Sequence, residues 1–481
     1  MPQPIRIAVV GGGITGLAAA FRAFELAPGA SIRLFEASSR LGGSLRTVHE
    51  GMLLIEQGAD NFITTAPWGL DLCRRLGWDR DLLTTDETRR QVYVVHRGRL
   101  VKLPDGFVLM SPTRLGPILT TPLLSLTGKL RLLAERFIPA RKSPDDESLG
   151  SFVRRRFGRQ VLERLVQPLV GGIYTADPER LSLKATMPRY LEMEQKYGSL
   201  IRATLQGGGR HLPPQSGARY GMFVAPRGGM SSLVERLAEK LPAESIRLNA
   251  AIDRIERSAD GPWQLRIAPS PRGEHSPFER QEFDSVILAV PAFRAARLLE
   301  TSDAELAKSL DAIPYASTSV VTLVYHRQDI AHPLDGFGFV VPAIEKRQIL
   351  AASFASNKYP GRAPEDQVLI RVFIGGACQP ELAELPDERL RAIATAELAD
   401  LLEIRGEPLH VGIARWPRAM PQYHLGHTEL VARIESLAAR QTGLALSGNA
   451  YHGVGVPHCI HSGEQAAEQV LTTARISNPP A

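Results

Sequence analysis

Cysteine is scarce in this sequence. Its 481 residues contain only Cys73, Cys378 and Cys459, far apart and with no C-x-x-C pair. That excludes a disulfide framework, argues against a zinc or iron–sulfur centre, and fits a reducing compartment. Long apolar runs are missing as well: no uncharged stretch approaches the ~20 residues that a membrane span needs. Met1-Pro-Gln-Pro-Ile-Arg leads straight into a strand pattern, without the charged, apolar and cleavable segments of a secretory signal. Dense Lys/Arg blocks are absent too. The longest basic run, Arg154, Arg155 and Arg156, reads as a solvated helix face. No nucleic-acid partner is therefore expected. The net charge of +6 still gives a mildly basic surface suited to a carboxylate-bearing substrate or an anionic membrane. The expected location is the cytoplasm, with the inner face of the cell membrane open as a peripheral contact.

What is present describes a globular chain. It is 44% hydrophobic and 22% charged, and 481 residues exceed what one core organises, so two or three domains are expected. Residues 5–10 are a β-branched strand pattern, 17–26 an Ala-rich helix ended by Pro28 and Gly29, and 31–36 a second strand. This strand–turn–helix–strand unit requires a parallel sheet. Short strands alternate over residues 92–103. Residues 107–140 read as helices with one broad apolar face, which either joins the core or touches a membrane with Lys129, Arg131 and Arg136 at its rim. A helix over 148–170 is broken by Gly171-Gly172-Ile173-Tyr174-Thr175-Ala176-Asp177-Pro178. Loops fall at 207–219 and 270–275, a helix at 231–240, and strands at 245–255 and 285–290. Recurring apolar runs over 314–376 suggest an antiparallel sheet; a helix spans 387–402, a strand 444–447 and a last helix 462–471.

Gly11-Gly12-Gly13-Ile14-Thr15-Gly16 is a G-x-G-x-x-G placed between strand and helix. The first glycine permits the turn, the second a close backbone approach to a pyrophosphate, and the third close packing of helix on strand. The phosphates would sit at the helix N-terminus. Glu36, at the end of the next strand, has the spacing of an acid that holds ribose hydroxyls, and it disfavours a 2′-phosphate. Beyond it, Glu36-Ala37-Ser38-Ser39-Arg40-Leu41-Gly42-Gly43-Ser44 adds a second glycine pair.

This longer segment resembles the extended FAD motif of the flavin amine oxidase and desaturase superfamily. Gly448-Asn449-Ala450-Tyr451-His452-Gly453-Val454-Gly455-Val456 is similar to the terminal flavin motif of the protoporphyrinogen oxidases. Trp416 with Pro421-Gln422-Tyr423-His424-Leu425-Gly426-His427, and Arg227-Gly228-Gly229-Met230, resemble two further segments of that family. The resemblance implies an α/β fold: a Rossmann-like FAD-binding domain, a mixed-sheet substrate domain and a helical, membrane-facing subdomain. The expected partition is 1–88, 216–296 and 415–475 for FAD binding, 89–106 and 297–414 for substrate, and 107–215 for the helical part.

The resemblance also implies non-covalent FAD, since Cys459 does not match the covalent flavin cysteine of monoamine oxidases. Carried over, FAD contacts fall on Gly11, Gly12, Gly13, Ile14, Thr15, Gly16, Glu36, Ala37, Arg40, Gly43, Ser44, Gly58, Ala59, Asp60, Asn61, Ile252, Trp416, Asn449, Val454, Gly455 and Val456. Substrate contacts fall on Arg90, Gly172, Val340 and Phe373. Some family members carry arginine two residues after the match to Gly58, where it pairs with a propionate; Asp60 stands there instead. Arg90 is either a propionate partner or a surface arginine. The implied reaction is the six-electron oxidation of protoporphyrinogen IX to protoporphyrin IX by dioxygen, in haem biosynthesis. A coproporphyrinogen III oxidase, an amine oxidase or a desaturase are the alternatives, and a homodimer is left open. No catalytic base is assigned. His452, His458, Cys459 and His461 invite a metal reading, but they lie in and beside the flavin turn, and no metal is expected.

Overall fold

The apolar run at the start of the chain becomes the central strand, Arg6–Val10, of a five-stranded sheet in the computed structural model. The structure describes residues 4–86, 89, 91–208, 223–257, 261–269 and 278–477. All strands of this sheet are parallel, in the order 246–247, 31–35, 6–10, 285–288, 444–446. The central strands carry near-continuous apolar side chains because both faces are covered, one by helices and the other by the antiparallel strands 252–257, 263–267 and 279–283 together with helices. Ile7 and Val9 pack on the helix Ile14–Leu26, while Ala8 and Val10 join a second core with Val286 and Leu288. Three distant stretches of chain thus close one Rossmann-like sheet.

A seven-stranded sheet stands beside it, in the order 410–421, 315–326, 367–375, 351–354, 336–340, 91–96, 99–102. It is mixed. Residues 336–340 and 91–96 pair in parallel, an exception to the antiparallel pattern read from the sequence. Period-2 alternation separates its faces. Tyr93, Val95, Phe339, Val372 and Ile374 pack under the helix Asp387–Leu402, and Val94 and Val340 point the other way, toward a helical subdomain.

In that subdomain residues 107–112 form a short hairpin, not a helix. Short helices follow at Leu115–Thr120 and Leu126–Leu133. Ile118, Leu123, Leu124 and Leu132 join the core, while Leu126 and Phe137 are exposed. The helical stretch ends inside the expected break: its last helix, Gln167–Tyr174, still carries Gly171 and Gly172 and stops at Thr175 in left-handed conformation. The strand expected over 245–255 is divided into Ile246–Arg247 and Ile252–Arg257, and the last helix begins at Val456, well before residue 462. The loop expected over 270–275 lies outside the described residues, as does 209–219; Gly207 and Gly208 end a π-helical turn.

The basic run is the clearest correction. Arg156 is fully buried, paired with Glu135 and with Glu194 at 3.3 Å. Arg155 bridges Glu194 at 2.6 Å and Glu147 at 2.8 Å. Only Arg154 remains a surface group, paired with Glu179. Glu135 also receives the Ser199 hydroxyl and the Leu200 N–H, so the buried charges are hydrogen-bonded on every side that matters for burial.

Candidate functional site

Two glycines of the first turn are fixed by their surroundings. Gly11 has φ of 109°, and a Cβ there would lie 2.4 Å from the Ala289 carbonyl oxygen. A Cβ on Gly16 would lie 1.9 Å from the Gly11 carbonyl, so the helix packs on the strand only without one. Gly13 differs: it begins the helix Ile14–Leu26, no side chain caps it, and nothing stands within 4 Å of its absent Cβ. Free N–H groups and the positive helix end therefore meet open space, which suits a pyrophosphate. Glu36 lies just past the strand Ser31–Phe35, beside exposed Ala37, and its carboxylate accepts N–H groups from Gly12 at 2.7 Å and Ser38 at 2.8 Å. The Ala250 N–H donates to the Glu36 carbonyl at 2.9 Å, which places Ile252 two residues from this edge.

The second glycine pair docks on the first turn. Gly42 N–H donates to the Gly12 carbonyl at 2.8 Å, and the absent Cβ of Gly43 would lie 3.4 Å from Gly13 Cα. Arg40 clamps this loop from within, donating to the carbonyls of Leu41 at 3.0 Å and Gly43 at 2.5 Å. Its side chain is thus committed to the loop. Ser44 continues the wall, because a Cβ on Gly58 would lie 1.8 Å from the Ser44 carbonyl oxygen. Trp416 closes it: its indole N–H donates to the Gln57 carbonyl at 2.7 Å, with the ring 3.5 Å from the same absent Cβ. Asn61 donates to Asp60 at 2.8 Å, and Ala59 packs against the Rossmann core.

The C-terminal turn is held by Tyr423. Its hydroxyl donates to the Asn449 carbonyl at 2.6 Å and accepts the Gly453 N–H at 2.8 Å. His427 stacks on the Tyr423 ring at 3.9 Å, and its Nε2 lies 3.2 Å from the Tyr451 carbonyl. The Asn449 amide reaches the Ala419 carbonyl at 3.4 Å, on the strand that carries Trp416. The turn feeds the helix Val456–Ser477, where a Cβ on Gly463 would lie 2.2 Å from the Thr15 carbonyl. The helices opened by the two glycine turns are thereby locked together. Val454 points into the helical core, Val456 into the Rossmann core, and Gly455 lies between them. Burial pushes the Cys459 thiol up to about 11, far from a reactive thiolate.

Val340, Ala351 and Phe373 form one cross-strand row on the face turned to the helical subdomain. Gly172 faces that row, its absent Cβ 3.7 Å from Val340 Cγ1. Val340 and Phe373 remain partly exposed and Gly172 exposed, so apolar side chains stay open where the strand row faces the Gly172 helix. Arg90 lies outside the described residues.

Asp60 pairs with Lys358 at 3.2 Å and Arg371 at 3.3 Å. Burial alone would raise its carboxyl, but these two cations hold it down to about 2. Neither cation was found from sequence: they lie about 300 positions from Asp60 and belong to no motif. The hydrophobic run around Arg371 was the one available signal, since a charge inside a buried strand needs a partner.

The histidines of the tail disperse. His452 pairs with Glu435 at 2.5 Å, and His461 stacks on Trp68 at 4.1 Å with His458 edge-on to the same ring. Among the described residues no group of three or more potential metal ligands occurs. Nor is any helix there long and apolar enough to cross a membrane.

Residues 14–471 match the family described as flavin containing amine oxidoreductase. The chain is 32% identical to a coproporphyrinogen III oxidase of Bacillus subtilis (strain 168), over 97% of this chain and 98% of that one. It is 28% identical to protoporphyrinogen oxidase 2, chloroplastic/mitochondrial, of Arabidopsis thaliana, over 97% and 94%. A solved structure from Exiguobacterium sp. 255-15, provisionally assigned as a protoporphyrinogen oxidase, superposes with a TM-score of 0.85 at 32% identity, over 97% and 98%.

Proposed function

The chain belongs to the flavin containing amine oxidoreductases, its cofactor is a flavin, and from that premise we propose that it oxidises a porphyrinogen to the porphyrin with dioxygen as acceptor. The observation that carries this reading is the apolar Val340–Ala351–Phe373 row facing Gly172, which we read as one wall of a slot, on the sheet that also presents Arg371 to the Gly58 wall. A flat tetrapyrrole with carboxylates at its edge is the class of substrate such a slot suits.

We take the dinucleotide to be FAD, running from the Gly13 helix end past Ser44 and Gly58 to the turn at Asn449–Val456. The uncapped helix end, the docked Gly42-Gly43 loop and the Glu36 carboxylate are the right chemistry for its ADP half. The flavin supplies hydride acceptance. The residues of the chain supply position: Val340, Phe373 and the Gly172 backbone hold the macrocycle flat, and the Trp416–Gly58 wall keeps water out behind it. The slot's side chains are apolar, so they bind and desolvate and do not move protons. Six electrons and six hydrogens leave the porphyrinogen, and three dioxygen molecules become three of peroxide.

Between substrates, the 32% identity to a bacterial coproporphyrinogen III oxidase supports coproporphyrinogen III over the protoporphyrinogen of the plant relative's name, at 28% identity. The charge near this strand agrees. His96, two residues along the strand from Val94, has its imidazole pushed down by burial first, then by nearby Arg164 and, less, by Arg97, while Glu345 beside it pulls the other way. Extra cations suit a substrate with four carboxylates. Steady-state kcat/KM on both porphyrinogens, read by porphyrin fluorescence, tests the choice. A higher value for protoporphyrinogen IX would reverse it.

A further inference from the structure

Three neighbouring strands of the parallel sheet end in a row. Gly11 follows 6–10, Ala289 and Val290 follow 285–288, and Gly448 and Asn449 come just after 444–446. The Ala289 N–H donates to the Val10 carbonyl at 2.8 Å and the Ser447 N–H to the Leu288 carbonyl at 3.0 Å, so the row is knit together. Nothing stands within 4 Å of the absent Cβ of Gly13 or of Gly448. The ligand of such a sheet lies beyond its strand ends.

Arg418 stands beside this row. It lies in the strand 410–421, where Pro417, Arg418 and Ala419 come opposite the single residue Ser317. In this bulge Arg418 takes a φ of 47°, a left-handed conformation uncommon outside glycine, and its N–H donates to the Ser317 hydroxyl at 3.0 Å. Its guanidinium lies 3.9 Å from the ring centroid of Phe293, in the helix that leaves the middle strand of the row. Val290, three residues before Phe293, comes within 3.0 Å of the absent Cβ of Gly11. On the other side the Ala419 carbonyl accepts the Asn449 amide at 3.4 Å. Arg418 is thus tied to the ends of both later strands. Arg294 lies over the same Phe293 ring at 5.5 Å. Both arginines are exposed, and among the described residues neither forms an ion pair.

We propose that Arg418 grips the diphosphate of the bound dinucleotide, from the side opposite the Gly13 helix end. The proposal rests on the reading above that the dinucleotide is FAD and runs from Gly13 to Asn449. Bulges beside functional sites re-aim a side chain, and a strained backbone persists where the surroundings impose it. A bulge that needs only a left-handed residue is served by glycine or asparagine, so the guanidinium has another cause. Two guanidiniums gathered on one ring repel each other, and an anion beside them offsets that cost. The helix end can meet only one face of a diphosphate, and a planar guanidinium matches the oxygens of the other.

The test is the FAD dissociation constant, from flavin fluorescence recovered on dilution of the holoprotein, at about 0.05 M and about 0.5 M NaCl. Arg418→Gly removes the charge and adopts the bulge without strain. It should raise the constant about tenfold at the lower salt and make it less dependent on salt. Arg418→Lys keeps the charge and should stay within about threefold of wild type. A purely structural Arg418 would leave the glycine variant within about twofold of wild type, or weaken it equally at both salts. Either result overturns the proposal, as does a lysine variant as weak as the glycine one. Wild-type protein that takes up no flavin would instead overturn the cofactor assignment, and its absent flavin spectrum marks that outcome apart.

Discussion

Replacing Tyr423 with Phe isolates one oxygen atom. The ring is 2% exposed, and its stacking on His427 survives the change. What disappears is the hydroxyl that bridges the Asn449 carbonyl and the Gly453 N–H. Two hydrogen bonds at about 1 kcal/mol each are lost, and two half-buried backbone groups lose their side-chain partner, so the expected loss of stability is about 2–3 kcal/mol. Part of that loss falls on the turn that should grip the flavin. If about 2 kcal/mol of it is felt in binding, the flavin dissociation constant rises about thirtyfold. The assay is flavin fluorescence recovered on dilution of the holoprotein, alongside a urea titration of the apoprotein. A dissociation constant within twofold of wild type would show that the turn does not hold the cofactor, or that Tyr423 does not hold the turn.

Three further outcomes follow from the same geometry. Gly58→Ala would put a Cβ 1.8 Å from the Ser44 carbonyl, and the purified protein should come out without flavin while Gly51→Ala, in open space but strained at φ 58°, keeps it; absorbance spectra decide. Arg156→Met leaves Glu135 and Glu194 facing each other in the helical core and should cost about 3–5 kcal/mol in a urea titration, against less than about 1 kcal/mol for Arg154→Met at the surface. For His427, burial, partly offset by the contact with the Tyr451 carbonyl, lowers the imidazole to about 4, against 6.5 when unfolded. The unfolded chain therefore binds the proton first: this contribution is whole above pH 6.5 and falls as pH drops toward 4, by up to about 3 kcal/mol. His427→Gln should flatten the stability profile in that window, and an unchanged slope between pH 6.5 and 4.5 would refute the assignment.

The parts of the site that were legible in the sequence are the ones built from local backbone geometry. Gly11, Gly13 and Gly16 mark a turn whose spacing alone states its purpose, and Glu36 follows at a distance set by one helix and one strand. The clamp formed by Arg40 was legible as a motif, but its use was not: the spacing gives a contact, whereas the fold turns the guanidinium onto its own loop. The segment 171–178 was legible as a break, but the helix runs through its two glycines before stopping at Thr175, because burial of Val170 and Gly171 outweighs the cost of glycine in a helix. Arg156 failed for the same reason in reverse. Its sequence neighbours suggest water, and the acids that pull it inside lie 21 and 38 positions away. The Asp60 cluster was invisible because its pairs span about 300 residues and no local pattern records them.

The central claim is that a porphyrinogen bound in the Gly172–Phe373 slot reduces the flavin directly. Anaerobic rapid mixing of the flavin-loaded protein with coproporphyrinogen III and, separately, protoporphyrinogen IX measures this. The account predicts bleaching of the flavin absorbance in step with porphyrin formation, faster with coproporphyrinogen III and slowed in both cases by Phe373→Ala. A flavin that stays oxidised with both porphyrinogens would contradict it.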